Sequence, residues 1–156
     1  MSEFSESYHF RGSSRRDVTD LLQRAGLSGF VFPALDGWVS FVAEGEPFRP
    51  NHDLLKANEG LLLRWMYAED HGWAFDIFKG QKRVVGYECS WEDDIQVSGA
   101  VTHQLLQAAL GAELPALAGE SGAKILYPAS LEELFQTKPA YAFAVAVGLT
   151  NYRWLA

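Results

Sequence analysis

Between Leu61 and Trp91 the chain runs through three stretches, LLLRWMYA, WAFDIF and RVVGYECSW, separated only by EDHG and KGQK. Each stretch is dense in ring-bearing and aliphatic side chains, and each has a period of two. In the first, Leu61, Leu63, Trp65 and Tyr67 share one side, and Leu62, Arg64, Met66 and Ala68 share the other. Trp73, Phe75 and Ile77 share a side in the second. In the third, Val85, Tyr87, Cys89 and Trp91 alternate with Val84, Gly86, Glu88 and Ser90. Alternating runs joined by connections this short predict consecutive antiparallel strands, a β-meander.

The elements before the meander follow from local signals. SYHF (Ser7–Phe10) predicts an opening strand. SSRRDVTDLLQRAG predicts a helix: Ser14 can cap it, Asp17 stands where a capping box closes, and Val18, Leu21, Leu22 and Ala25 fall on one face. Gly26 ends it, where a left-handed residue is needed. Two strands follow, Phe30–Phe32 and Trp38–Val42, joined through Asp36-Gly37, a pair suited to a tight hairpin. Pro33 cannot donate to a ladder and points to a sheet edge. Asn51 caps a short helix that presents Leu54 and Leu55.

After the meander the pattern turns helical. Ser98 is the expected cap of GAVTHQLLQAALG, Gly111 its end, and the stretch from Ala112 to Ala129 gives no decided reading. Ser130 and Glu133 form a second capping box, Pro139 opens AYAFAVAVG, an all-apolar helix expected to be buried, and NYRWLA is an aromatic tail expected to dock. The expected fold class is α+β: a mainly antiparallel sheet whose first six elements have the β-α-β-β-α-β order of the ferredoxin-like split βαβ arrangement, extended by the meander, with a C-terminal helical segment. The expected organisation is a sheet domain over 1–97 and a helical segment over 98–156 packed on it as one compact unit.

Charge narrows the partners. The net charge is −7, so a phosphate backbone is repelled and no nucleic-acid partner is expected. From Glu92 to Glu133 there are seven carboxylates and one base, Lys124, whereas the first ninety-one residues are nearly balanced. The one cysteine, Cys89, has nothing to pair with intramolecularly, the N-terminal residues lack a signal-peptide pattern, and no apolar run reaches membrane-spanning length. A cytoplasmic location and no membrane association are the expectation.

Chemistry-bearing residues gather in two places. YAEDHGWAF places Glu69, Asp70 and His71 in a row before Gly72 and Trp73. Neighbours on a strand point to opposite faces, so these three make a poor acid–base unit. The simpler reading is a hairpin turn, with Gly72 as its left-handed residue and Tyr67 packed across from Trp73. YECSWEDD ends the third strand with Glu92, Asp93 and Asp94 beyond Trp91. If the meander pairs as expected, both acidic groups lie at one edge of the sheet and form an acidic rim beside Trp73 and Trp91. Cys89 sits in a strand among acids, which raise a thiol's pKa, and reads as core. His9, His52 and His103 stand alone. SSRR at a helix start is weak support for an anion site. No nucleotide, zinc, calcium or nucleophile-elbow motif occurs, and no cofactor is implied.

The candidate binding residues are therefore Glu69, Asp70, His71, Trp73, Trp91, Glu92, Asp93 and Asp94, with no catalytic or metal-ligating residue assigned. The favoured function is a non-enzymatic protein-binding module for a basic partner, of which an inhibitor or toxin-neutralising protein is one version. Two alternatives are a small-molecule binder in an aromatic sheet–helix cleft lined by Trp38, Trp65, Trp73 and Trp91, and a metal-assisted hydrolase built on Glu69, Asp70 and His71.

Overall fold

A computed structural model describes residues 3–153. The elements run β1 (Phe4–Arg11), α1 (Arg15–Ala25), β2 (Gly29–Val31), β3 (Trp38–Ala43), α2 (His52–Ala57), β4 (Leu61–Ala68), β5 (Gly72–Lys79), β6 (Lys82–Ser90), β7 (Gln96–Ser98), α3 (His103–Leu110), a 3-10 turn (Pro115–Leu117), α4 (Gly119–Leu126), α5 (Leu131–Thr137) and α6 (Pro139–Ala146). The seven strands form one sheet in the order β2-β3-β1-β4-β5-β6-β7, every neighbour antiparallel. β3 lies between β1 and β2, and β1 lies between β3 and β4. Each βαβ unit is thus split by a strand of the other, the arrangement the element order predicts. The fold is α+β, and β5, β6 and β7 continue the sheet from the β4 edge.

Strand alternation divides the side chains between two cores. On one face α1 (Val18, Leu21, Leu22) and α2 (Leu54) cover Tyr8, Val39, Phe41, Leu62 and Phe78. On the other, the C-terminal helices bring Leu106, Ile125, Leu134 and Phe143 onto Trp65, Trp73, Phe75 and Tyr87. Phe75 stacks on Phe143 with centroids 4.0 Å apart and planes at 15°. Two polar tips of this apolar layer are satisfied across it: Trp65 Nε1–H donates to the Ala140 carbonyl at 3.1 Å, and the Tyr87 hydroxyl to Leu126 at the C-terminal end of α4 at 2.6 Å, whereas the buried Trp73 Nε1–H has no partner among the described residues.

Local signals fix most ends. Ser14 and Asp17 make the capping box of α1, and Gly26 closes it at φ 69°. Asp36 and Gly37 both have positive φ (53° and 83°), as a tight hairpin turn requires. Three expectations need correction. Ser98 does not cap α3. It ends β7, opposite Glu88, and Thr102 is the cap, accepting the Leu105 N–H at 3.1 Å. Gly99 between them holds φ 105°, and a β-carbon there would sit 2.3 Å from the Gly86 carbonyl oxygen, a backbone no helix continues. Helix α6 buries Ala140, Phe143 and Ala144 but leaves Val145 68% exposed, so it is covered on one side only. In the tail, Tyr152 packs on the helix-covered core, while Trp154 and Leu155 lie outside the described residues.

Gly72 is the third correction. It is not the left-handed residue of the β4–β5 turn. It is a strand residue between Ala68 and Ser90, and a β-carbon there would sit 2.2 Å from the Cys89 carbonyl oxygen. Its glycine is demanded by close backbone approach, not by φ. Gly72→Ala is expected to lower the unfolding free energy by about 1–3 kcal/mol, the usual cost of overpacking, read as a reduced urea midpoint.

Candidate functional site

The β4–β5 turn and the end of β6 meet at one corner of the sheet because β5 pairs with both strands over its full length. Backbone and side chain fasten the two: Trp91 N–H donates to the His71 carbonyl at 3.0 Å, and Trp91 Nε1–H to the Glu69 carbonyl at 3.0 Å. His71 Nδ1 pairs with the Glu92 carboxylate across the gap. The corner therefore brings together Glu69, Asp70, His71, Glu92, Asp93 and Asp94, all solvent-exposed. Glu88, on β6 and also exposed, adds a further carboxylate on the sheet face that the C-terminal helices do not cover. Solvated carboxylates in contact repel by on the order of 1 kcal/mol per pair, and a bound cation relieves that.

The two aromatic members of the candidate set turn their rings to the helix-covered face. Trp73 is fully buried, because alternation turns it onto the helix-covered face. Trp91 is 9% exposed and serves as the pin just described. Trp38, Trp65, Trp73 and Trp91, the expected lining of an aromatic cleft, belong to one packed core. Among the described residues no group of three His, Cys, Asp or Glu side chains is placed to hold a metal ion. The Cys89 thiol is buried and its pKa is raised, chiefly by that burial.

Beside the corner, on the face covered elsewhere by α1 and α2, lies an open depression of about 340 Å³. Met66 and Gly72 contribute to its floor, Phe48 to a wall, and His71, Glu88 and Glu92 to its rim. Phe48 comes from the loop before α2. It stands at φ 68°, a costly conformation for a bulky residue. The loop is tied down from below. Phe48 N–H donates to Glu6 at 3.0 Å, Asn51 N–H donates to the Tyr8 hydroxyl at 2.9 Å, and the Phe48 ring lies 4.9 Å from that of Phe4. Burial, the largest influence, pushes the Tyr8 pKa up to about 12, so that hydroxyl stays neutral and can accept.

Under the loop a line of charges crosses four strands. Arg64 donates to Glu6 at 2.9 Å and to Asp76 at 3.1 Å, and Arg83 donates to the other Asp76 oxygen at 2.7 Å. Register explains the line: Tyr8, Arg64, Asp76 and Gly86 stand side by side on successive strands. Gly86 has no side chain, and the Arg83 guanidinium lies back over it toward Asp76. Arg64 and Asp76 are almost wholly buried, so the network belongs to the frame behind the depression.

A second polar cluster escaped the sequence reading, which left His9 alone. His9 is fully buried, with Nε2 2.8 Å from Ser7 Oγ and Nδ1 2.8 Å from Ser40 Oγ. Ser40 Oγ donates to the Thr150 carbonyl at 2.6 Å, so it must accept from Nδ1–H, which makes Nε2 the acceptor of the Ser7 hydroxyl. Ser5 Oγ donates to the Tyr152 carbonyl at 2.8 Å. The stripe Ser5, Ser7, His9 on β1 is thus a track that holds residues 149–152 against the sheet. Its sequence signal was polar residues at every second position. No solvent reaches the imidazole, so Ser–His chemistry on a substrate has no path here.

No known protein family, curated protein or solved structure matches the chain.

Proposed function

We propose that the chain is a non-enzymatic module that binds a basic protein through the corner formed by residues 69–72 and 88–94. An inhibitor or toxin-neutralising protein is the version that best suits such a surface. The observation that carries the reading is the convergence of two acidic segments, distant in sequence, around a depression with an apolar floor. An arginine or lysine of the partner lays its aliphatic stem over Met66 and against Phe48 and meets Glu88 and Glu92 with its charged head. The net charge of −7 adds long-range attraction for the same partner. His71 already pairs with Glu92, and a guanidinium entering the depression competes for that carboxylate.

The test is affinity capture from the native host with the wild-type chain and with the double variant Glu88→Lys/Glu92→Lys, at low and high salt. Both positions are exposed. A basic protein retained by the wild type at low salt, released by salt and lost to the double variant supports the reading. Equal capture by both chains at both salt concentrations refutes it.

A further inference from the structure

Where α5 turns into α6, the helices and the sheet corner enclose a groove of about 470 Å³, on the opposite side of the corner from the acidic depression. Its wall is a run of aromatic rings. Phe135, 56% exposed, stands edge-on to Trp91 at 6.2 Å. Trp91 is 6.5 Å from Tyr67, and Tyr67 is 5.2 Å from Tyr141. Two cations line the same groove. Lys138 is the single residue between the two helices, held at φ 51° by its N–H bond to Leu134 and by Pro139 after it. Arg153 lies over the Tyr141 ring at 4.5 Å. Neither cation has a carboxylate partner among the described residues.

Two acids also line the groove, and both are engaged. Glu69 accepts the Glu3 N–H at 2.8 Å, and Glu3 accepts the Tyr141 hydroxyl. Tyr67 reports their nearness: its pKa is raised by burial first and then by Glu3, Glu69 and Asp70. The balance of charge restricts a ligand from both sides. Two unpaired cations favour an anion, and two fixed carboxylates disfavour a second negative charge. The volume falls within the range of small-molecule sites, roughly 300–1,000 Å³.

We propose that this groove binds a small aromatic monocarboxylate, its ring against Phe135, Trp91 and Tyr141 and its carboxylate against Lys138 and Arg153. The groove shares Glu69 and Trp91 with the corner but not Glu88 or Glu92, so Glu88→Lys/Glu92→Lys is expected to leave it intact and the two readings fail separately. Ring stacking supplies contact area and the charge-assisted bonds supply the choice of ligand.

The experiment is an NMR titration of the whole chain with phenylacetate and, separately, phenylacetamide, following the Trp91 indole N–H and the Leu134 and Ala140 amides. A saturable shift with phenylacetate, and binding at least about tenfold weaker for the uncharged amide, is expected from the loss of charge-assisted bonds. Lys138→Met, which keeps the stem and removes the charge at an exposed position, brings a similar loss for phenylacetate alone. Equal binding of acid and amide overturns the assignment, as does the absence of a saturable shift with phenylacetate at millimolar concentration. The acid–amide comparison uses the wild-type chain, so it is decisive even where a variant folds poorly.

Discussion

Arg64→Met is expected to destabilise the fold by about 3–5 kcal/mol, measured as a fall in urea midpoint at unchanged slope. The arginine side chain is 4% exposed and bridges Glu6 on β1 and Asp76 on β5 in the line of charges described above. Removing it leaves Asp76, itself 7% exposed, with Arg83 as its one charged partner among the described residues, and takes from Glu6 its contact with Arg64. The cost is the buried Asp76 carboxylate left short of a partner rather than the worth of the pair. The double variant Arg64→Met/Asp76→Leu is accordingly expected to recover part of the loss. A single variant within about 1 kcal/mol of wild type, the range of ordinary surface substitutions, would show that the network carries no such weight.

The second large effect is a loss of stability in mild acid traced to His9. Burial depresses its pKa from 6.5 to about 3 in the folded chain. As pH falls below 6.5 the unfolded chain takes up a proton that the folded chain refuses. The unfolded state then binds more protons, and stability declines by about 1.4 kcal/mol per pH unit until the folded pKa is reached. Down to about pH 4.5 that sums to roughly 3 kcal/mol, and it is the part of the acid response seen before most carboxylates titrate. Protonation also places a second N–H on Nε2, which then needs the Ser7 hydroxyl as acceptor in place of donor. The track under residues 149–152 is where the strain falls. Urea melts between neutral pH and about pH 5 check this: His9→Asn, less stable throughout, should lack the wild-type slope in that range. An unchanged slope in the variant would assign the acid response to other groups.

These two networks mark the limit of what the linear pattern conveys. The α1 cap, the Asp36-Gly37 turn and the meander are set by residues within a few positions of one another, so their signals survive in the sequence. Arg64, Asp76 and Glu6 each stand at an alternating position that predicts only a face. That they meet depends on β1 lying against β4, a pairing across more than fifty residues that no local rule supplies. His9 is similar: Ser7 was within reach of the alternation argument, but Ser40 and Thr150 come from β3 and the C-terminal tail. Ser98 misled because a serine before a glycine and a helical run resembles a cap, while the Gly99–Gly86 contact that keeps it in β7 is tertiary.

The candidate site divides in the same way. That residues 69–71 and 92–94 share a corner followed from counting strands, and the carboxylates and His71 are where that count puts them. The ring side chains were misplaced because the sequence alone left open which face the C-terminal helices cover. They cover the face of Trp73 and Trp91, so those rings became core and pin, and the wall of the depression came instead from Phe48 on a distant loop. The groove beside Lys138 and Arg153 depends on how α5 and α6 pack and had no linear signature.

The most direct test of the acidic corner is chemical-shift mapping of the intact chain with a short arginine-rich peptide at low salt. The account predicts saturable shifts confined to the backbone amides of residues 69–72 and 88–94 and the loop around Phe48, abolished by Glu88→Lys/Glu92→Lys. Shifts centred on any other face, or a response in the double variant equal to wild type, would contradict it.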